Sequence, residues 1–169
     1  MVEQCKRIKL LRIKLLIMDV DGTLTDGKMY FTSSGDEIKA FNAKDGCGIA
    51  VILPQLGIIP AIITGRMSDC VVLRSKQLGI TDVFQNSAKK LKQLEELREK
   101  YNLQYDEIAV VGDDLNDLEI FSVCGFTACP ADACDEIKEK SDLILSKAGG
   151  NGAVRELIEF IKDRRDNEL

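Results

Sequence analysis

Five short runs of isoleucine, valine and other apolar residues recur along the chain: Ile13 to Met18, Ile58 to Ile63, Ile108 to Val111, Phe126 to Ala128 and Leu143 to Leu145. Apolar runs of this kind suit strands covered on both faces, which is the condition of a parallel sheet packed between helices. Between and after them lie segments whose apolar residues repeat with a helical period: Gly48 to Leu56, Ser68 to Leu78, Ala88 to Lys100, Leu115 to Val123, Ala133 to Glu139 and Ala153 to Arg165. Strand alternating with helix predicts a doubly wound, Rossmann-like α/β fold, a parallel sheet flanked by helices. The 169 residues suffice for one well-filled domain and are short for two, so residues 1–169 are expected to form one unit. Ser68 and Ser87 stand where helix N-caps are expected, and Gly79 where a C-cap is.

One stretch breaks the alternation. Lys28 to Thr32 and Glu37 to Phe41, separated by a turn containing Gly35, predict a β-hairpin over about 28–41. In a parallel sheet ligands bind beyond the carboxyl ends of the strands, so this hairpin is expected to overhang the site.

The chemistry is concentrated at three strand ends. Asp19-Val-Asp-Gly-Thr23 directly follows the first run, Thr64-Gly-Arg66 the second, and Gly112-Asp-Asp-Leu-Asn-Asp117 the third. A carboxylate at a strand end can take a phosphoryl group covalently, splitting one difficult displacement into two. A second carboxyl two residues on can protonate the leaving oxygen. Asp19, Asp113 and a nearby backbone carbonyl form an oxygen-only donor set of the kind Mg²⁺ prefers. Thr64 can donate its hydroxyl to a phosphoryl oxygen, and a lysine opening the helix after Phe84-Gln-Asn-Ser87 can reach the same group. Each piece alone has a plainer reading: a surface turn, a strand-to-loop junction, a solvated face of Lys89, Lys90 and Lys92, an acidic helix cap. Their order at successive strand ends is what a single cleft requires.

Composition narrows the options. With 23 Lys and Arg against 28 Asp and Glu, the net charge of −5 disfavours nucleic acid or an anionic membrane as principal partner. Basic residues Lys6, Arg7, Lys9, Arg12 and Lys14 interrupt the apolar N-terminus, and no later run is long enough for a bilayer, so a cytoplasmic protein is expected. The six cysteines include no C-x-x-C pair; Cys124, Cys129 and Cys134 read as reduced thiols rather than a metal cluster. Histidine is absent, so acid and base work falls to carboxylates or lysine.

Taken together, Asp19-Val-Asp-Gly-Thr23, Ile63-Thr-Gly-Arg66, Lys90 and Gly112-Asp-Asp-Leu-Asn-Asp117 resemble the four motifs of the haloacid dehalogenase superfamily phosphatases, over nearly the whole chain. Thr25-Asp-Gly27, Phe41-Asn-Ala-Lys-Asp-Gly46, Phe84-Gln85 and Gly149-Gly-Asn-Gly-Ala-Val-Arg-Glu156 further resemble the 3-deoxy-D-manno-octulosonate 8-phosphate phosphatase subgroup, which has no large cap domain. The resemblance implies a magnesium-dependent phosphatase in which Asp19 is nucleophile and metal ligand, and Asp21 is acid and base, binding metal through its carbonyl. It implies Asp113 as the further ligand, Thr64 and Lys90 as holders of the phosphoryl group, and Asp114 and Asp117 as supports. Asn42, Lys44, Asp45, Gly46, Gly65, Arg66 and Arg74 fall where the family contacts the sugar acid. It implies a homotetramer in which hairpins pack together and the segment from Gly149 onward reaches a neighbouring site. Two positions depart from the family pattern: Lys44 replaces the usual arginine, and Lys89 stands where a polar or acidic residue is expected. Two alternatives stay open. One is a phosphatase of nine-carbon sugar acid 9-phosphates, whose members more often carry an acidic residue at the Arg66 position. The other is a non-catalytic oligomerisation module, against which the intact Asp19, Asp21, Lys90 and Asp113 argue.

Overall fold

In the computed structural model, which describes residues 10–166, β1 (Leu15–Met18) lies at the heart of a six-stranded, all-parallel sheet. The others are β4 (Ile59–Ile63), β5 (Asp82–Phe84), β6 (Ile108–Val111), β7 (Phe126–Cys129) and β8 (Leu143–Ile144), in the order β5-β4-β1-β6-β7-β8. The expected Rossmann-like sheet is therefore present, and β5 is an additional edge strand that the apolar pattern did not signal. Its first residue, Asp82, is buried and bonded to Lys100 Nζ at 2.5 Å and the Tyr101 hydroxyl at 2.6 Å. A satisfied buried carboxylate thus stands where periodicity looks for an aliphatic residue.

Side chains of β1 alternate between two cores. Leu16 and Met18 join Leu10, Ile13, Ile49 and Leu53 and the apolar stripe Val154, Leu157, Ile158 and Ile161 on one face. Leu15 and Ile17 join Leu94, Leu97, Ile120 and Phe121 on the other. Each buried aliphatic side chain contributes about 1.5–3 kcal/mol, so both faces stabilise the strand that carries the first motif.

The helices match the expected segments with shifted ends. α1 (Ala43–Cys47) runs through a π turn (Gly48–Ile52) into α2 (Leu53–Gln55), beginning five residues before the expected Gly48. Its cap is Asn42, whose Oδ1 accepts the Lys44 N–H at 2.8 Å. α3 (Asp69–Leu78) has Ser68 at its cap position and ends at Gly79 in the left-handed conformation, φ 71°. α4 (Lys90–Lys100) is capped at Lys89 rather than Ser87. The Ser87 N–H is instead spent on the Thr64 carbonyl at 3.0 Å, tying the loop after β5 to the end of β4. A 3₁₀ turn (Leu115–Asp117) leads into α5 (Leu118–Phe121); α6 (Asp135–Lys140) and α7 (Ala153–Asp166) follow. No helix among the described residues is long and apolar enough to cross a membrane.

The expected hairpin is present, with ordered pairing limited to β2 (Tyr30–Phe31) and β3 (Glu37–Ile38). It is inside out. Met29, Tyr30, Phe31 and Ile38 are exposed, whereas the Glu37 and Lys39 side chains, two residues apart, are largely withdrawn from solvent.

The chain from Gly149 onward, expected to reach a neighbouring copy, packs through its described part on its own protomer. A Cβ on Gly149 would lie 1.8 Å from the Gly22 carbonyl oxygen, and the Gly150 N–H donates to Thr23 O at 3.0 Å. At the far end of α7, the Arg165 guanidinium donates to the carbonyls of Leu56 at 2.6 Å, Leu10 at 3.4 Å and Ile13.

Candidate active site

Register brings the motifs together. Met18 pairs with Ile62 on one side and Val111 on the other, so the residues following β1, β4 and β6 emerge side by side at one sheet edge. Asp19, Asp21, Thr64, Gly65, Arg66, Asp114 and Asn116 wall the cleft found there.

Lys90, the first residue of α4, is wholly buried and donates to Asp19 Oδ1 at 2.7 Å and Asp117 Oδ1 at 2.6 Å. Burial alone would lower its pKa; the charges of Asp19 and Asp117 outweigh that and raise it. Lys90 is thus a fixed cation. An ammonium has three donors, so one N–H is free for a further acceptor. Asp117 accepts the N–H groups of Asp113 at 3.2 Å and Asp114 at 3.5 Å on its second oxygen, bracing the loop that presents Asp113. Asp114 caps that turn, its side chain accepting the Leu115 N–H at 2.8 Å.

The carboxylates are set against one another. Burial, and secondarily the Asp19 charge, pushes Asp113 up to about 8. Burial pushes Asp19 up to about 6, with Lys90 opposing and Asp117 adding to the rise. One oxygen from each of Asp19, Asp113 and Asp117 lies within 4.8 Å of the others. Asp117 is committed to Lys90 and two backbone donors, which leaves Asp19 and Asp113 as the pair able to hold a cation. An all-oxygen donor set with suppressed ionisation fits a hard divalent ion, whose charge would let both groups ionise. Gly22 makes the approach possible: at φ 91° its missing Cβ would lie 1.9 Å from Asp113 Oδ2, while the Thr23 hydroxyl bonds Asp113 Oδ1 at 3.0 Å.

Asp21 is held from two sides. Lys39 Nζ bonds its Oδ1, and Arg66 Nε lies 3.8 Å from its Oδ2. Glu37 Oε1 joins both cations, 3.4 Å from Lys39 Nζ and 3.0 Å from Arg66 Nη2. Sequence reasoning did not select Lys39 or Glu37. The signal available was a charged pair two residues apart on a strand expected over the site.

Of the residues expected at the sugar acid, Gly65 and Arg66 wall the cleft; Asn42, Lys44, Asp45, Gly46 and Arg74 do not. Asn42 caps α1 and donates to Gly150 O at 3.2 Å. Asp45 is buried and accepts the Arg155 N–H at 2.7 Å at the start of α7, while burial raises its pKa. The Arg74 guanidinium occupies the space a Gly46 Cβ would take, 2.2 Å away, and donates to Gln77 at 3.3 Å. Lys44 is exposed. In this chain these residues join α1, α3 and α7. Burial also pushes the Cys124 thiol up to about 12 and raises Cys129, so neither offers a thiolate.

Residues 53–157 match the model of the haloacid dehalogenase-like hydrolases. The 3-deoxy-D-manno-octulosonate 8-phosphate phosphatase of Escherichia coli (strain K12) is 42% identical over 149 residues, 88% of this chain and 79% of that protein. The chain belongs to this hydrolase family. Solved structures agree. The 3-deoxy-D-manno-octulosonate 8-phosphate phosphatase of Moraxella catarrhalis, in complex with magnesium ion, phosphate ion and KDO, superposes with a TM-score of 0.92 at 43% identity. The match covers 96% of this chain and 92% of that one. The cobalt-bound deoxy-D-mannose-octulosonate 8-phosphate phosphatase of Haemophilus influenzae gives 0.89 at 36% identity, covering 94% and 92%. The family makes the chain a phosphoric monoester hydrolase.

Proposed function

We propose that the chain hydrolyses 3-deoxy-D-manno-octulosonate 8-phosphate to the free sugar acid and phosphate, with Mg²⁺, through an aspartyl-phosphate on Asp19. The observation that carries this reading is Asp19 fixed by Lys90 through Oδ1 at the wall of a cleft that Asp21 shares. Its second oxygen attacks phosphorus, the ester P–O bond breaks, and Asp21 gives its proton to the departing sugar oxygen. Water then adds to phosphorus, losing its proton to Asp21, and the bond to Asp19 breaks to release phosphate. Thr64 and the remaining Lys90 N–H hold the phosphoryl oxygens as charge shifts among them. Mg²⁺ held by Asp19, Asp113 and the Asp21 carbonyl would offset the repulsion between carboxylate and phosphate dianion. Arg66, half-exposed at the cleft wall with one nitrogen on Glu37, suits the substrate carboxylate through the rest of its guanidinium.

The deciding experiment is phosphate release with and without Mg²⁺ from the eight-carbon 8-phosphate, a nine-carbon 9-phosphate and a simple hexose phosphate. Magnesium-dependent preference for the first is expected; preference for the nine-carbon ester, or release from none, overturns the reading. We infer a homotetramer, a reading that the exposed apolar residues Met29, Tyr30, Phe31 and Ile38 of the hairpin support by offering a surface to further copies of the chain. A monomeric mass at micromolar concentration would refute it.

Metal dependence should also appear in stability. Asp113 and Asp19 have folded pKa values above their unfolded ones, so the metal-free fold gains from them below about pH 4 and loses that gain as pH rises through 6 and 8. The loss is at most about 1.4 kcal/mol per pH unit for each group. Mg²⁺ at about a hundredfold over its Kd should add about 2.7 kcal/mol, roughly 5–10 °C in Tm for a chain of this size. Thermal unfolding with EDTA or Mg²⁺ at pH 6 and pH 8 should therefore give the larger magnesium shift at pH 8; equal shifts would separate metal binding from these carboxylates.

A further inference from the structure

A second buried lysine stands behind Asp21, and the mechanism above gives it no task. The Lys39 side chain is 2% exposed, and its ammonium meets Asp21 Oδ1 and, at 3.4 Å, Glu37 Oε1. It reaches this place because β3 is inverted: Ile38 faces solvent, so the residues on either side of it turn toward the catalytic loop. The hairpin is anchored from outside as well, the Cys70 thiol of α3 donating to the Glu37 carbonyl at 3.5 Å and the Arg66 guanidinium bonding the Glu37 carboxylate. Asp21 has rotational freedom about its side chain, and proton delivery works only from an oxygen aimed at the leaving group.

We propose that Lys39 is a positioning residue: by engaging Oδ1 of Asp21 it fixes that carboxyl so that Oδ2 is the oxygen presented to the leaving group, making the hairpin part of the proton-delivery machinery. The proposal rests on the phosphatase reading above. It assigns Lys39 no contact with substrate, since its buried ammonium is engaged by Asp21 and Glu37. Arg66 cannot substitute, because it approaches the other oxygen and from 3.8 Å.

The test compares kcat/KM, which reports steps up to phosphoryl transfer to Asp19, for an alkyl phosphate (the sugar acid phosphate) and for p-nitrophenyl phosphate, whose leaving group departs without a proton. Lys39→Met should lower kcat/KM for the alkyl ester on the order of 10²-fold and for the aryl ester less than about tenfold. Lys39→Arg should restore part of the alkyl rate, and Lys39→Met added to Asp21→Asn should cost nothing further. Lys39→Gln is read in the same way if the methionine variant does not fold. An equal loss on both esters, or none on either, overturns the positioning role while the unsubstituted protein remains active. An unsubstituted protein inactive on both esters overturns the phosphatase reading and this inference with it.

Discussion

Asp19→Asn should lower phosphate release by about 10⁴-fold or more while leaving the protein folded. The amide keeps the shape of the carboxylate and an oxygen for Lys90, and Asp117 still balances the ammonium at 2.6 Å. What is lost is the nucleophile: a neutral amide oxygen does not displace a sugar oxygen from phosphorus. Stability should move the other way. Burial pushes the Asp19 carboxyl up to about 6, so the fold holds its charge at a cost at neutral pH, and the uncharged amide should raise Tm by a few degrees in the absence of metal. Phosphate release and thermal unfolding on the same preparation check both halves. Release near the unsubstituted rate would remove Asp19 from the role of nucleophile.

Lys90→Met should be the most damaging change to the fold. Removing the ammonium leaves Asp19 and Asp117 facing each other in a buried space without a cation, a situation that costs about 3–5 kcal/mol and hence about 10 °C or more in Tm. Activity should fall by at least about 10²-fold, since a donor fixed beside the phosphoryl site is gone. The neighbouring lysine gives the contrast. Lys92 is 77% exposed and pairs with Glu96 only at 3.9 Å, so Lys92→Ala should change stability by less than about 0.5 kcal/mol. Combining Lys90→Met with Asp117→Asn removes one stranded charge and should recover part of the lost stability with none of the lost activity. If the single variant keeps the parental Tm, the buried ion cluster is not what holds α4 to β1 and β6.

The sheet could be read from the sequence because strands buried on both faces demand continuous apolar runs, and β1, β4, β6 and β7 contain them; β8, at the edge with Ile144 exposed, has a shorter run of the same kind. β5 escaped because Asp82 is paid for by Lys100 and Tyr101, partners distant in sequence. The start of α1 escaped for a different reason. Gly46 and Gly48 lower helix propensity, yet a Cβ on Gly46 would meet Arg74 at 2.2 Å and one on Gly48 would meet Ile158 at 3.0 Å. Packing by remote elements therefore required the residues that disguised the helix. The same helix explains why Asn42, Asp45 and Arg74, expected at the sugar acid from the family resemblance, are engaged in capping and tertiary contacts. The meeting of Asp19, Lys90, Asp113 and Asp117 was legible because strand ends in a parallel sheet share an edge. Lys39 was not, because its importance depends on a hairpin that turns its charged side inward.

Helix α7 adds a constraint on how the molecule can be made. β1 emerges first during synthesis, but its partners on both sides and the α7 stripe against Leu16 and Met18 come later, and Arg165 closes the carbonyls of Leu10, Ile13 and Leu56 last of all. Until α7 and the turn before it have left the ribosome, the loop bearing Asp19 and Asp21 has no Gly149 beneath it and one core face is open. The nascent chain must therefore keep that face open, and depend on protection from aggregation, until α7 has been made.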